Sequence, residues 1–139
     1  MEHTLSFYST TLYRDFFAYT TERLQTLGLS FGQLPFVLYV GNHSGCTPGE
    51  LNAALHIDWG HTQRTLSRLA EDGFLRKEPN PKDRRTCNLT LTPQGQEAFQ
   101  VSHQVFFTWD DQKTACLTQE EKNALYAILA KLTHPSEAN

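Results

Sequence analysis

The chain has 139 residues, 39% hydrophobic and 19% charged. That is the size and balance of one globular domain able to bury a core, and it excludes a disordered or collagen-like polymer. The net charge is −3, and no apolar run approaches the roughly 20 residues that span a bilayer. Three widely spaced cysteines and six scattered histidines, without a CxxC or HExxH pattern, speak against a disulfide framework or a structural zinc site. No basic run leads into an apolar stretch at the start, so a soluble, cytoplasmic protein without a membrane partner is expected.

Leu5, Tyr8, Leu12, Phe16, Tyr19, Leu24 and Leu27 recur at helical spacing and predict a first helix over 5–28, closed by Gly28. Phe7, Tyr13 and Phe17 widen its apolar face, so it should pack on more than one neighbour. Ser30 and Gln33 form a capping-box pattern for a second helix that runs to about Asn42. Pro35 in its first turns is expected to remove one backbone hydrogen bond. The run Asn42-His43-Ser44-Gly45 is a break.

Thr47-Pro48-Gly49-Glu50 is a second capping box and opens a short helix through Leu55. Asp58 is a good cap for the next helix, which Gly73 ends and whose Thr62, Thr65, Leu66 and Leu69 should face the core. Helices 47–55 and 58–72, joined by His56-Ile57, have the spacing of a helix-turn-helix. Segments 74–78 and 87–91 read as two strands around a polar turn with two prolines, which makes a wing. Thr92-Pro93 opens a long helix, about 93–115, with Phe99, Phe106 and Trp109 among its apolar positions. Thr118 and Glu121 complete a third capping box for a last helix bearing Leu125, Ile128, Leu129 and Leu132. The expected fold is mainly α with a small β-hairpin wing. A winged helix-turn-helix part spans 30–92, and helices 5–28 and 93–133 carry more apolar surface than a lone winged domain can cover. Dimerisation through those terminal helices would cover it.

The charge is unevenly spread. Residues 58–91 hold seven bases and five acids, the remainder five bases and ten acids. A basic patch on an acidic body can orient a protein on nucleic acid. A helix entering the major groove needs short polar or basic side chains near its N-terminal end. Trp59, Gly60, His61, Gln63, Arg64 and Ser67 supply these, with Arg68 on the following turn. Gln63 suits adenine and Arg64 guanine, and Gly60 lets the helix start approach a duplex. Trp59 fits a core anchor and a backbone contact equally well. At the wing tip the cations are Lys82, Arg84 and Arg85. Arg84 is the candidate for a narrow minor groove, while Asp83 pairs with Arg85 or braces the turn.

Leu66-Ser67-Arg68-Leu69-Ala70-Glu71-Asp72-Gly73-Phe74-Leu75 resembles the end of a MarR-family recognition helix running into the wing. Asp83-Arg84-Arg85 resembles that family's wing-tip motif. Leu89-Thr90-Leu91-Thr92-Pro93-Gln94-Gly95 is similar to the stretch where its second wing strand enters the long fifth helix. The order of elements matches from about residue 5 to 133. The resemblance implies a transcriptional regulator, a repressor, that binds pseudo-palindromic double-stranded DNA as an obligate homodimer. It also implies, in many members, an effector cleft between the dimer core and the DNA-binding part.

For a small aromatic or phenolic effector, the candidates to line such a cleft are Arg14, Phe16, Phe36, Tyr39, His43 and Phe107, together with Tyr13. Each aromatic among them fits the hydrophobic core as well. Cys46 and Cys87 read as small apolar core residues rather than oxidant sensors. No glycine-rich phosphate loop, nucleophile elbow or triad points to an enzyme, and neither a cofactor nor a metal is expected. The alternatives are a thiol-sensing regulator and a winged-helix adaptor that binds protein rather than DNA.

Overall fold

The computed structural model describes residues 3–134. The chain divides into two units, one up to Phe106 and one from Phe107. The first begins with α1 (Leu5–Gln25), capped by the Thr4 hydroxyl, which accepts from the Phe7 N–H at 3.1 Å. Helical backbone stops at Gln25, three residues before the expected end. Gly28 then adopts φ +78°, the left-handed geometry that turns the chain back and lets the Leu29 N–H reach the Leu24 carbonyl at 3.1 Å.

The second predicted helix is in fact two pieces. Ser30 and Gln33 do form their capping box, but around a 3-10 turn (Phe31–Gln33), after which α2 (Leu34–Asn42) begins afresh. Pro35 therefore lies in the first turn of α2, where its missing N–H has no helical partner to lose. The expected loss of a hydrogen bond does not arise.

Helix α3 (Pro48–Leu55) starts on the Thr47/Glu50 capping box, and α4 (Trp59–Glu71) starts on Asp58, whose carboxylate accepts from the His61 N–H at 3.1 Å. His56 makes the turn between them at φ +53°, in the left-handed region. The buried Thr62 hydroxyl donates to Asn52 Oδ1 at 2.7 Å and ties α4 to α3. Thr62, Leu66 and Leu69 are buried as the period predicts, while Thr65 is half-buried. Gly73 at φ +86° ends the turn after α4, and the Phe74 N–H returns to the Leu69 carbonyl at 2.9 Å. That bond occupies Phe74, so the first strand opens one residue later than expected.

Strands β1 (Leu75–Pro79) and β2 (Cys87–Leu91) pair antiparallel, Leu75 opposite Leu91 and Lys77 opposite Leu89. The hairpin is fixed to the helices by a short bridge. Leu89 N–H donates to the Cys46 carbonyl at 2.7 Å and Gly45 N–H to the Leu89 carbonyl at 2.8 Å. The core of this unit gathers Leu24, Phe36, Val37, Val40, Leu51, Leu66, Leu69 and Leu89, none more than 1% exposed. Each such side chain contributes about 1.5–3 kcal/mol through burial.

Helix α5 (Pro93–Thr114) is capped by Thr92, whose hydroxyl accepts from the Gly95 N–H at 3.0 Å and donates to the Gly73 carbonyl at 2.5 Å. In the second unit, α6 (Gln119–Thr133) starts on the Thr118/Glu121 capping box and buries no side chain. No helix among the described residues is long and apolar enough to cross a membrane.

Candidate nucleic-acid interface

Asp58 accepts the His61 N–H, so the helix begins sharply and presents Trp59, Gln63 and Ser67 as one stripe at four-residue spacing. Trp59 is 46% exposed; it is a surface residue, which removes the core-anchor reading. Gly60 is explained by its neighbours. A Cβ there would lie 3.1 Å from Arg64 Nη1 and 3.2 Å from Asp58 Oδ2, so the glycine leaves room for the Arg64 guanidinium to lie close over the first turn. His61 is exposed but sets its ring edge-on to Phe36, centroids 6.2 Å apart, which holds α4 against α2. Arg68 is engaged with Asp72 at 3.1 Å.

The wing tip is organised by two short side chains. Asn80 Oδ1 accepts from the Lys82 and Asp83 N–H groups at 2.9 and 3.1 Å, and its amide donates to Asn88 Oδ1 at 3.0 Å. Such Asx turns are a standard use of asparagine. Asp83 does both things expected of it: it pairs with the Arg85 guanidinium at 3.1 Å and accepts from the Arg85 N–H at 3.0 Å. The Arg85 side chain, then its backbone, hold the Asp83 carboxyl below its ordinary value of 3.8. No ion pair engages Arg84 or Lys82 among the described residues, and both are exposed.

Between the α4 stripe and the wing lies a cleft of about 500 Å³. Trp59, Gln63 and Ser67 form one wall, Arg84 and Arg85 the other, and no carboxylate lines it. Lys77 also lines it, a residue absent from the sequence-derived set. Its Nζ donates to Ser67 Oγ at 3.2 Å, so the Ser67 hydroxyl already accepts one bond. Strand alternation was the available signal, because Lys77 falls on the same face of β1 as the buried Leu75.

The effector-pocket candidates are not gathered in this cleft. Phe36 is fully buried in the core rather than facing a cavity. Phe16 is half-buried against Phe31 and Phe106, with centroids at 5.9 and 5.3 Å. Tyr39 stacks on His43 at 4.2 Å, Arg14 is exposed, and Phe107 is exposed in the second unit. Cys46 is buried, and burial together with the nearby Glu50 charge pushes its thiol up from 9.0 to about 11. It is a thiol, not a reactive thiolate, at neutral pH.

Comparison with known proteins places this geometry. The pattern of the MarR family matches residues 27–86. The chain is 30% identical to the multiple antibiotic resistance protein MarR of Escherichia coli (strain K12) over 112 residues, 80% of this chain and 78% of that one. It is 39% identical to the HTH-type transcriptional regulator BilQ of Clostridium symbiosum (strain WAL-14163) over its whole length, covering 96% of that relative.

The chain belongs to the MarR family.

It is a MarR-family transcriptional regulator, and its relatives are regulators rather than enzymes. The backbone also superposes on a crystal structure of a mutant MarR from E. coli complexed with operator DNA, with a TM-score of 0.78, 26% identity and 92% of each chain covered. The winged helix-turn-helix of the MarR family is thus the fold that presents the α4 stripe and the wing on one surface.

Proposed function

We propose that this MarR-family protein is a cytoplasmic repressor that binds pseudo-palindromic operator DNA as a homodimer and is released by a small aromatic or phenolic effector. The observation that carries the DNA reading is the cleft between α4 and the wing, which gathers Lys77, Arg84 and Arg85 and is lined by no carboxylate. A surface that gathers cations on a chain of net charge −3 is built for a polyanion rather than for solubility.

In this reading α4 enters the major groove with Gln63 and Arg64 over base edges, the pairings that suit adenine and guanine. Trp59, Gly60 and His61 seat the helix start, Ser67 and Arg68 lie along its flank, and Lys82, Arg84 and Arg85 carry the wing to the adjacent minor groove. Homodimerisation is supported by the exposed apolar side chains of α1 and α6. For the effector, the Tyr39–His43 stack is the feature that favours an aromatic ligand.

A mobility-shift titration on the chain's own upstream region, alongside duplexes selected from a random pool, tests the reading. Saturable binding that survives competitor DNA is the expected result. Failure to retard any duplex would overturn it in favour of an adaptor that binds protein.

A further inference from the structure

Lys77 is an exposed cation on the face of β1 that starts in the core at Leu75. On β1 it shares the face of Leu75, and its cross-strand partner is Leu89. Leu75, Leu89 and Leu91 on that face are all buried. Cross-strand partners share one side of a hairpin, so Lys77 continues that face at the point where β1 has emerged from the core. Its ammonium donates to the Ser67 hydroxyl of α4, 3.2 Å away. No carboxylate pairs with it among the described residues, and none lines the cleft it enters. An ammonium has three donors; Ser67 takes one, which leaves two for whatever fills the cleft that Lys77 lines.

The geometry of a duplex says what that is. Major and minor grooves alternate, separated by a single sugar–phosphate strand. A protein with a helix in one groove and a wing tip in the next must straddle that strand. The cleft between the Trp59–Gln63–Ser67 stripe and the Arg84–Arg85 tip is the gap that it would occupy. We propose that Lys77 is a further DNA-contacting residue, an ammonium moored by Ser67 that grips the backbone phosphate passing between recognition helix and wing. This rests on the DNA-binding reading above and assigns to it a contact that is independent of base sequence.

The test is the salt dependence of binding to a mixed-sequence duplex, for which no operator is needed. Lys77→Met keeps the stem and removes the charge; Lys77→Arg keeps the charge. Thermal unfolding checks that each folds, with Lys77→Gln replacing Met if needed. Each lost phosphate contact should flatten the slope of log K against log salt by about 0.9, or about 1.8 for a dimer. The uncharged variant is expected to show this loss to a similar extent on selected and mixed-sequence duplexes, and Lys77→Arg to restore the wild-type slope. An unchanged slope in Lys77→Met, or a loss confined to the selected duplex, or a failure of Lys77→Arg to restore the slope, would overturn the assignment. If the unaltered chain binds no duplex, the functional reading itself fails, which is a distinct result.

Discussion

Arg64 and Arg84 differ in how they are held, and the difference predicts different defects. Arg64 lies close over Gly60 beside the cap of α4, at the end of the helix proposed to meet base edges. Arg84 stands exposed on a tip braced by Asn80 and by the Asp83–Arg85 pair. Arg64→Ala should weaken binding to a selected site by about 1–3 kcal/mol and relax specificity at one position per half-site. Arg84→Ala should lose most on sites with A·T-rich flanks, where a narrow minor groove strengthens the negative field. Titrating both variants on matched sites with A·T-rich and G·C-rich flanks separates the two roles; equal losses on every duplex would reduce both to phosphate contacts. Because Asp83 is held below its ordinary value, its brace persists above pH 3.8 and is lost only as pH falls further. Cys46 behaves oppositely. With its thiol raised from 9.0 to about 11, its contribution to stability is intact below pH 9 and declines as pH rises towards 11. At neutral pH, alkylation followed by peptide mapping should modify the exposed Cys116 far faster than Cys46; comparable rates would mean the 43–47 loop opens readily.

At the level of elements, the join between wing and α5 leaves no room for an added side chain. Gly95 sits against the backbone of Phe74, and a Cβ there would overlap the Phe74 carbonyl oxygen. That carbonyl accepts from the Thr92 N–H at 3.1 Å, so it has little freedom to retreat. Gly95→Ala should destabilise the protein by about 1–3 kcal/mol or more. Gly49 in α3 is the internal control. A Cβ there meets only Thr47 Oγ1 at 3.9 Å, ordinary contact, and Gly49→Ala should stabilise by roughly 0.5–1 kcal/mol through helix propensity. Thermal unfolding of the two variants should move in opposite directions. A neutral Gly95→Ala would mean that the α5 start can slide away from the hairpin.

At the scale of the whole molecule the unresolved balance is apolar surface. Leu5, Tyr8 and Leu12 of α1 are 49–62% exposed, and Ile128 and Leu132 of α6 are 56% and 54% exposed. Helix α6 buries nothing, so packing within the chain gives it little reason to stay helical. A homodimer that covers these faces is the arrangement that would stabilise it, and obligate interfaces commonly bury about 2,000 Å² or more. Sedimentation at micromolar concentration should show a dimer. Ile128→Glu combined with Leu132→Glu should yield monomers with reduced helicity and weakened DNA binding. A folded, fully helical wild-type monomer would refute the dimer. A dimer would also place two basic segments on an otherwise acidic body, the arrangement that steers a protein onto a polyanion.

Much of this molecule is legible from the chain itself, because the signals are local. The capping boxes at Ser30, Thr47 and Thr118 each join residues three apart, and all three form. The period of α4, its cap at Asp58 and the turn at Gly73 lie within one helix length, and the Asp83–Arg85 pair spans two residues. Helix ends are less sharply encoded. Gly28 marks the turn beyond the first helix rather than its last residue, and Pro35 starts a helix instead of weakening one. What only the tertiary structure decides is everything set by contacts distant in sequence. Neither periodicity nor composition distinguishes Phe36 in the core from Phe36 in a pocket, or Trp59 exposed from Trp59 buried. The bond from Lys77 to Ser67 crosses ten residues, and the bridge from Cys46 to Leu89 crosses the whole helix-turn-helix. Helical caps and turns are written in hydrogen bonds a few residues long, whereas burial and the shape of a cleft depend on which surfaces meet after the chain has folded.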